Sequence, residues 1–235
     1  MTILGGCLQG RDLSGAVSRV AVGDSGITMG WTQTEAGNAS VESASEVVRE
    51  ETIQWRGTTV LALREEIFTD WHWPDTVRSD NSTTWIRASD GGIFRREKHS
   101  TFEKEGEFPA SFHVTVELDP ECTVMPPSMA VGDRMMVSCH VLIWDDESPE
   151  GRWEYENATM TVAWHGVIGG PHGDLEAYRI DWNIEGDVDS GSTWWSYEAC
   201  GQARYESRDT FRQLMAYRCH WSGKSDEVVE SQVEY

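Results

Sequence analysis

Apolar and polar positions alternate over much of the chain. Phe112, Val114, Val116 and Leu118 fall on one side of a short segment, with His113, Thr115 and Glu117 on the other. Tyr178, Ile180, Trp182 and Ile184 alternate in the same way with Arg179, Asp181, Asn183 and Glu185. A period of two puts successive side chains on opposite faces, so both segments read as half-buried strands. Phe211, Met215, Tyr217, Cys219 and Trp221 share a face of a late strand, while Met135 to Trp144 is apolar on nearly both faces, as in a central strand. Further strands are expected over 17–22, 52–63, 153–164 and 193–200. Ser40 to Glu51 alone reads as helix-like, because Ser43 followed by Glu46 has capping-box spacing.

Turn chemistry punctuates these runs at Val22-Gly23-Asp24, Ser89-Asp90-Gly91-Gly92, Val131-Gly132-Asp133, Ser148-Pro149-Glu150-Gly151 and Ile168-Gly169-Gly170-Pro171. Many short strands with regular turns predict an all-β sandwich or barrel, Ig-like or jelly-roll, with at most one or two short helices. The charged stretch from His99 to Pro109 suggests a boundary between a β-rich region at 1–109 and a sandwich at 110–235, unless the two form one domain. Ala-Val-Gly-Asp occurs twice, at 21–24 and 130–133, a hint of duplication.

In the second half, Cys139 is followed by Trp153 and then by Tyr217-Arg218-Cys219. Cys…Trp…Tyr-x-Cys resembles the immunoglobulin sandwich, as does the entry Pro126-Pro127-Ser128-Met129-Ala130-Val131-Gly132-Asp133. The resemblance covers about residues 110–235. It implies that Cys139 and Cys219 bridge two sheets, that Trp153 packs on the bridge in the core, and that Tyr217 forms a corner. A rival pairing sets Cys122 against Cys139 and Cys200 against Cys219. All five cysteines could instead be buried small apolar residues, and Cys7 is odd in any scheme.

Charge alters the picture more than size does. The 235 residues carry 40 Asp+Glu against 19 Lys+Arg, a formal net charge of −21. Only Lys98, Lys104 and Lys224 are lysines. Such a chain is unsuited to gripping nucleic-acid phosphates, which needs clustered cations, or to binding an anionic membrane surface. No apolar run approaches the ~20 residues of a membrane-spanning helix. At molar salt the Debye length falls to about 3 Å and self-repulsion is screened, so scarce lysine with abundant carboxylate resembles proteins of salt-in halophiles and their viruses. Arginine replacing lysine for codon reasons in a high-GC genome is the alternative. Met1-Thr2-Ile3-Leu4-Gly5-Gly6-Cys7 ends like a lipobox but has neither a basic nor an apolar region before it.

The sequence carries few marks of chemistry. None of the seven His falls in His-x-His or His-Glu-x-x-His spacing, and there is no Cys-x-x-Cys, so no metal or other cofactor is expected. Pro171 to Gly186 is similar to the His-containing strand of copper amine oxidases, but Asp174 stands where the second His belongs, so copper is not carried over. Asp181 and Glu185, or Glu154 and Glu156, have the same-face spacing of glycosidase acids; among 40 acids such pairs arise by chance. No nucleophile elbow, P-loop or dinucleotide fingerprint occurs, and no catalytic residue is assigned. Asn38, Asn81 and Asn157 lie in Asn-x-Ser/Thr sequons and would be glycosylation sites on a displayed protein.

Twelve Trp exceed what a core requires and, with Arg, suit subunit interfaces. Gly10-Arg11-Asp12-Leu13-Ser14-Gly15-Ala16-Val17-Ser18-Arg19-Val20-Ala21-Val22-Gly23 resembles the opening of tailed-virus tail-tube and related tail proteins. The resemblance implies a non-enzymatic virion structural subunit, foremost of the tail, in a virus of a halophilic (haloarchaeal) host. It would assemble in the host cytoplasm as a homo-oligomer with other virion proteins, without sequence-specific nucleic-acid binding or membrane contact. A jelly-roll capsid or tower protein, or a carbohydrate-binding module or glycosidase using the Trp, is the alternative.

Overall fold

Strand follows strand in one antiparallel meander, and the last long strand returns to pair with the first. The structure, a computed structural model, describes residues 20–34, 37–104, 106–119, 128–146, 148–170, 173–184, 190–219 and 229–230. The strands are β1 (Ser25–Thr34), β2 (Gly37–Trp55), β3 (Thr58–His72), β4 (Thr76–Arg87), β5 (Ile93–Lys104), β6 (Ala110–Leu118), β7 (Arg134–Asp145), β8 (Arg152–Gly170), β9 (Gly173–Ile184), β10 (Ser190–Ser196), β11 (Gly201–Ser207), β12 (Thr210–Cys219) and the short β13 (Val229–Glu230). Each pairs with its neighbours in sequence, and β1 also pairs with β12, which closes a twelve-stranded barrel. Closure removes the free edges at which open sheets aggregate.

The all-β expectation holds, as a barrel. The Ig-like arrangement of two stacked sheets is replaced by one sheet in sequential order, without a crossover. That sheet runs through residue 109, since β5 and β6 pair from Arg95↔Glu117 to Phe102↔Ala110. The helix-like stretch Ser40–Glu51 is part of β2. Ala39, Val41 and Val47 are buried at odd positions while Ser40, Glu42 and Glu46 are exposed, a two-residue period that overrides the local capping signal. Residues 52–63 form two strands, joined by a turn at Arg56-Gly57.

The seam requires a glycine. A Cβ on Gly30 of β1 would lie 1.8 Å from the Phe211 carbonyl oxygen of β12, so only a bare backbone lets the closing strands approach. Around the wall, β7 shows the inside–outside code most clearly. Met135, Val137, Cys139, Val141 and Ile143 are buried, and Met136 and His140 between them are exposed. The inward residues of β6–β9 form one apolar cluster that includes Val116, Met160, Val162, Ile180 and Trp182, with Tyr178, Trp195 and Tyr205 packed against it. About eight strands already enclose a lumen that ordinary side chains fill; twelve need larger ones, which accounts for several of the Trp and Tyr.

The two halves repeat each other. Gly23 N donates to Val47 O and Val47 N to Asp24 O, while Gly132 N donates to Val162 O and Val162 N to Asp133 O. Ala21 N donates to Asp24 Oδ2 at 2.7 Å, and Ala130 N to Asp133 Oδ2 at 3.0 Å. Both copies of Ala-Val-Gly-Asp therefore make the same turn at the head of a half. β2 and β8 each have 19 residues. Their register slips at matching places, between Val47 and Arg49 opposite Glu65/Arg64, and between Val162 and Trp164 opposite Ile180/Arg179. Arg64 pairs Trp85, which pairs Arg95; Arg179 pairs Trp194, which pairs Arg204. β1–β6 and β7–β12 thus repeat one six-stranded pattern, and positions near the matching slips and the Arg–Trp–Arg rows have counterparts in the other half.

Candidate functional site

Repeated halves make differences between them informative, and the largest lies on the lumenal face. In the first half, register points Glu65 of β3, Arg78 and Asp80 of β4, and Arg96, Lys98 and Ser100 of β5 into the barrel. Arg212 of β12 joins them, its guanidinium carbon 4.8 Å from the Trp71 ring, with that of Arg78 at 5.5 Å. Arg78 and Lys98 also approach the Phe112 ring, at 5.7 and 5.8 Å. Counterparts of Glu65 and Arg96 in the second half are Ile180 and Tyr205, which pack in the apolar cluster.

Asp80 is the hub. Arg78 Nε donates to its Oδ1 at 2.7 Å and Arg78 Nη2 to its Oδ2 at 2.9 Å, a two-toothed grip. Lys98 Nζ stands 3.8 Å from Oδ2. Burial alone would raise the Asp80 carboxyl, but Arg78, the facing Ser100 hydroxyl and Lys98 outweigh it and hold it below the usual carboxylate range. Desolvation lowers Lys98 against the pull of Asp80. It lowers Arg212 too, against Tyr205 and Asp80. One carboxylate is thus paired with both Arg78 and Lys98. Arg212 Nε has no hydrogen-bond acceptor among the described residues.

Glu65 and Arg96 sit beside this group. Desolvation raises Glu65, with Arg96 and a hydrogen bond from Ser45 pulling it back, while Arg96 is lowered by burial and sustained by Glu65. Arg96 Nε donates to Thr84 Oγ1 at 3.1 Å. Both side chains are enclosed by the wall, yet like Thr28, Ser43, Ser45, Ile67 and Lys98 they keep part of their surface open to solvent-sized space. Across the barrel Val137, Met160, Val162, Ile180 and Trp182 are packed shut. The lumen is thus apolar on one side and charged on the other.

The outer wall carries a different pattern. Arg95 lies over Trp85 at 5.3 Å and Arg204 over Trp194 at 4.9 Å. Each of the flanking arginines pairs with a carboxylate two residues on: Arg64–Glu66 at 2.9 Å, Arg95–Glu97 at 2.5 Å, Arg179–Asp181 at 3.0 Å, and Arg204–Glu206. Stacking and forked pairing are what arginine does and lysine does not. Large apolar residues remain wet on this wall, among them Trp31 at 47 %, Phe68 at 53 %, Met136 at 62 % and Tyr155 at 56 % exposure.

Several residues singled out in the sequence lie elsewhere. Cys219 is bonded to Cys200, with Cα atoms 5.7 Å apart. The Cys139–Cys219 bridge is thereby excluded, since β7 and β12 belong to different stretches of wall; Cys139 is itself disulfide-bonded. Cys7 and Cys122 lie outside the described residues. Trp153 is not a core residue: it is 61 % exposed on the outer face of β8, with the Arg56 guanidinium 5.7 Å from its ring. Tyr217 lies on β12 opposite Gly26 of β1, in the barrel seam rather than a sandwich corner. Asn38 and Asn81 are exposed, and Asn157 Oδ1 accepts from Ser138 Oγ at 2.7 Å.

Of the acid pairs, Asp181 is held by Arg179 and by Ser192 Oγ at 2.7 Å, and Glu154 by Arg152 at 2.9 Å. Glu185 and the Glu156 side chain lie outside the described residues. Asp24, Cys200 and Cys219 come together with metal-ligand spacing, but the two sulfurs are bonded to each other and offer no thiolate. No family model, curated protein or solved structure matches the chain.

Proposed function

We propose that the protein is a non-catalytic structural subunit that assembles through its outer wall into a particle exposed to oxidising surroundings. The wet aromatic wall carries this reading. Trp31, Phe68, Met136, Trp153 and Tyr155 are each about half exposed or more, and Trp and Tyr are the residues that anchor interfaces. The twelve long strands close on one another, so contacts with neighbours would be made mainly by side chains of the wall. Disulfides at Cys200–Cys219 and Cys139 suit a protein displayed outside a reducing cytoplasm. With the net charge of −21 and the tail-protein resemblance of residues 10–23, the particle we favour is a virion of a halophilic host. Its tail comes first, and a capsid or tower position is the alternative within that class.

Sedimentation velocity at ~3 M and ~0.2 M salt tests it. A defined multimer in high salt that loosens in low salt, where carboxylates repel, is the expected result; Trp153→Ser should weaken it. A chain that stays monomeric in both, or that binds or cleaves a polysaccharide as a monomer, would replace this reading with the carbohydrate-binding one.

A further inference from the structure

We propose that the charged side of the lumen is a binding site for a small organic anion, its charge held by Arg78, Lys98 and Arg212 and its body laid against Trp71 and Phe112. This is independent of whether the outer wall assembles. Arg78 and Lys98 share Asp80, and Arg212 lies over the same Trp71 ring as Arg78, which leaves the three cations with one carboxylate partner and an excess of two positive charges. In a chain with twice as many acids as bases, such an excess in an enclosed place is contrary to the background. Low-dielectric walls strengthen its pull on an anion.

Three further observations converge on the same place. Arg212 holds a donor, Nε, that no described residue accepts. An anion placed there would supply the acceptor, and guanidinium groups bind carboxylate and phosphate through paired N–H donors. Next, Glu65, Arg96 and Lys98 are only half-buried although they point into the barrel. Finally, the second half acts as a built-in control. Ile180 and Tyr205 occupy the positions of Glu65 and Arg96, and Gly191 and Ser207 those of Ser82 and Lys98. The six-stranded unit folds with these uncharged residues, so the fold does not call for the charges. Aromatic rings beside the cations favour a ligand with a planar or apolar body over a bare inorganic ion.

Isothermal titration of the full chain at about 0.1 M salt tests this, with phenyl phosphate as the probe and inorganic phosphate for comparison. One saturable site per chain is expected, at least ~10-fold tighter for phenyl phosphate. Arg212→Gln and Lys98→Gln should each weaken it ~10-fold or more, while Arg179→Gln on the outer wall leaves it unchanged. Circular dichroism checks that the variants fold, and Lys98→Gln decides if Arg212→Gln does not. The proposal is overturned by an absence of saturable binding, by equal affinity for the two anions, or by equal binding in all three variants.

Discussion

Replacing Arg96 by alanine is expected to destabilise the barrel by about 3 kcal/mol, because it removes the positive charge that sustains Glu65 inside the wall. Chemical denaturation would measure the loss. The variant should also acquire a pH dependence of definite sign. Burial already raises Glu65 above its ordinary 4.5, and Arg96 is the main influence pulling it back. Without Arg96 the folded carboxyl holds its proton to higher pH than the unfolded chain does. Stability of the variant should therefore rise as pH is lowered from 7 towards 5, as Glu65 takes up a proton that the unfolded chain does not. Asp80 acts in the opposite sense, its folded value being depressed below 3.8; its contribution is lost only at still lower pH. A variant whose stability is flat or falling between pH 7 and 5 would show that Glu65 is not the group left stranded.

The disulfide between Cys200 and Cys219 should have an effect of similar size. It joins the turn after β10 to the end of β12 across a sequence separation of 19. Opening a loop of that size costs about 3 kcal/mol in the chain-entropy account, which for a chain of this length lowers the midpoint of thermal unfolding by about 6–12 °C. Cys200→Ser should show that drop in calorimetry. Reductant should then lower the midpoint of the native protein further than that of the variant, which has one bridge fewer to lose. A Cys200→Ser midpoint within a degree of native would mean that the packing of β12 against β1 closes the barrel unaided.

How much of this could be read from the chain depends on what each strand faces. β6, β7 and β9 alternate visibly because one of their sides meets the apolar cluster, so their residues betray both strand and inward face. β4 and β5 do not. Their inward positions, Arg78, Asp80, Ser82, Thr84, Arg96, Lys98 and Ser100, are as polar as the outward ones, and a charged lumen erases the period that marks a strand. For the same reason the lumenal site was the least legible feature. The signal that could have found part of it is the pairing of halves: once Ala-Val-Gly-Asp is taken as a register mark, Arg96 falls on Tyr205 and Lys98 on Ser207, whereas Glu65 is matched to Ile180 only by the strand pairing.

The Cys…Trp…Tyr-x-Cys spacing misled for a different reason. Alternation specifies which residues of a strand are half-buried, not whether the sheet folds onto a second sheet or closes on itself. Closure here depends on Gly30 admitting β12. Trp153 then faces outward where Arg56, at the tip of the β2–β3 hairpin, reaches it and Asp119. Arginine abundance also has a structural use in the Arg–Trp–Arg rows of both halves.

The central claim is that the barrel is one unit used twice, and that the first copy's lumenal charges serve the lumen rather than the fold. The most direct test transplants the second copy's residues into the first, as Glu65→Ile with Arg96→Tyr, and measures chemical denaturation. The double variant should keep the native far-UV spectrum and a denaturation midpoint equal to or above that of the native chain. An unfolded chain, or a midpoint as low as that of Arg96→Ala, would contradict the claim and make the charges part of what holds the barrel together.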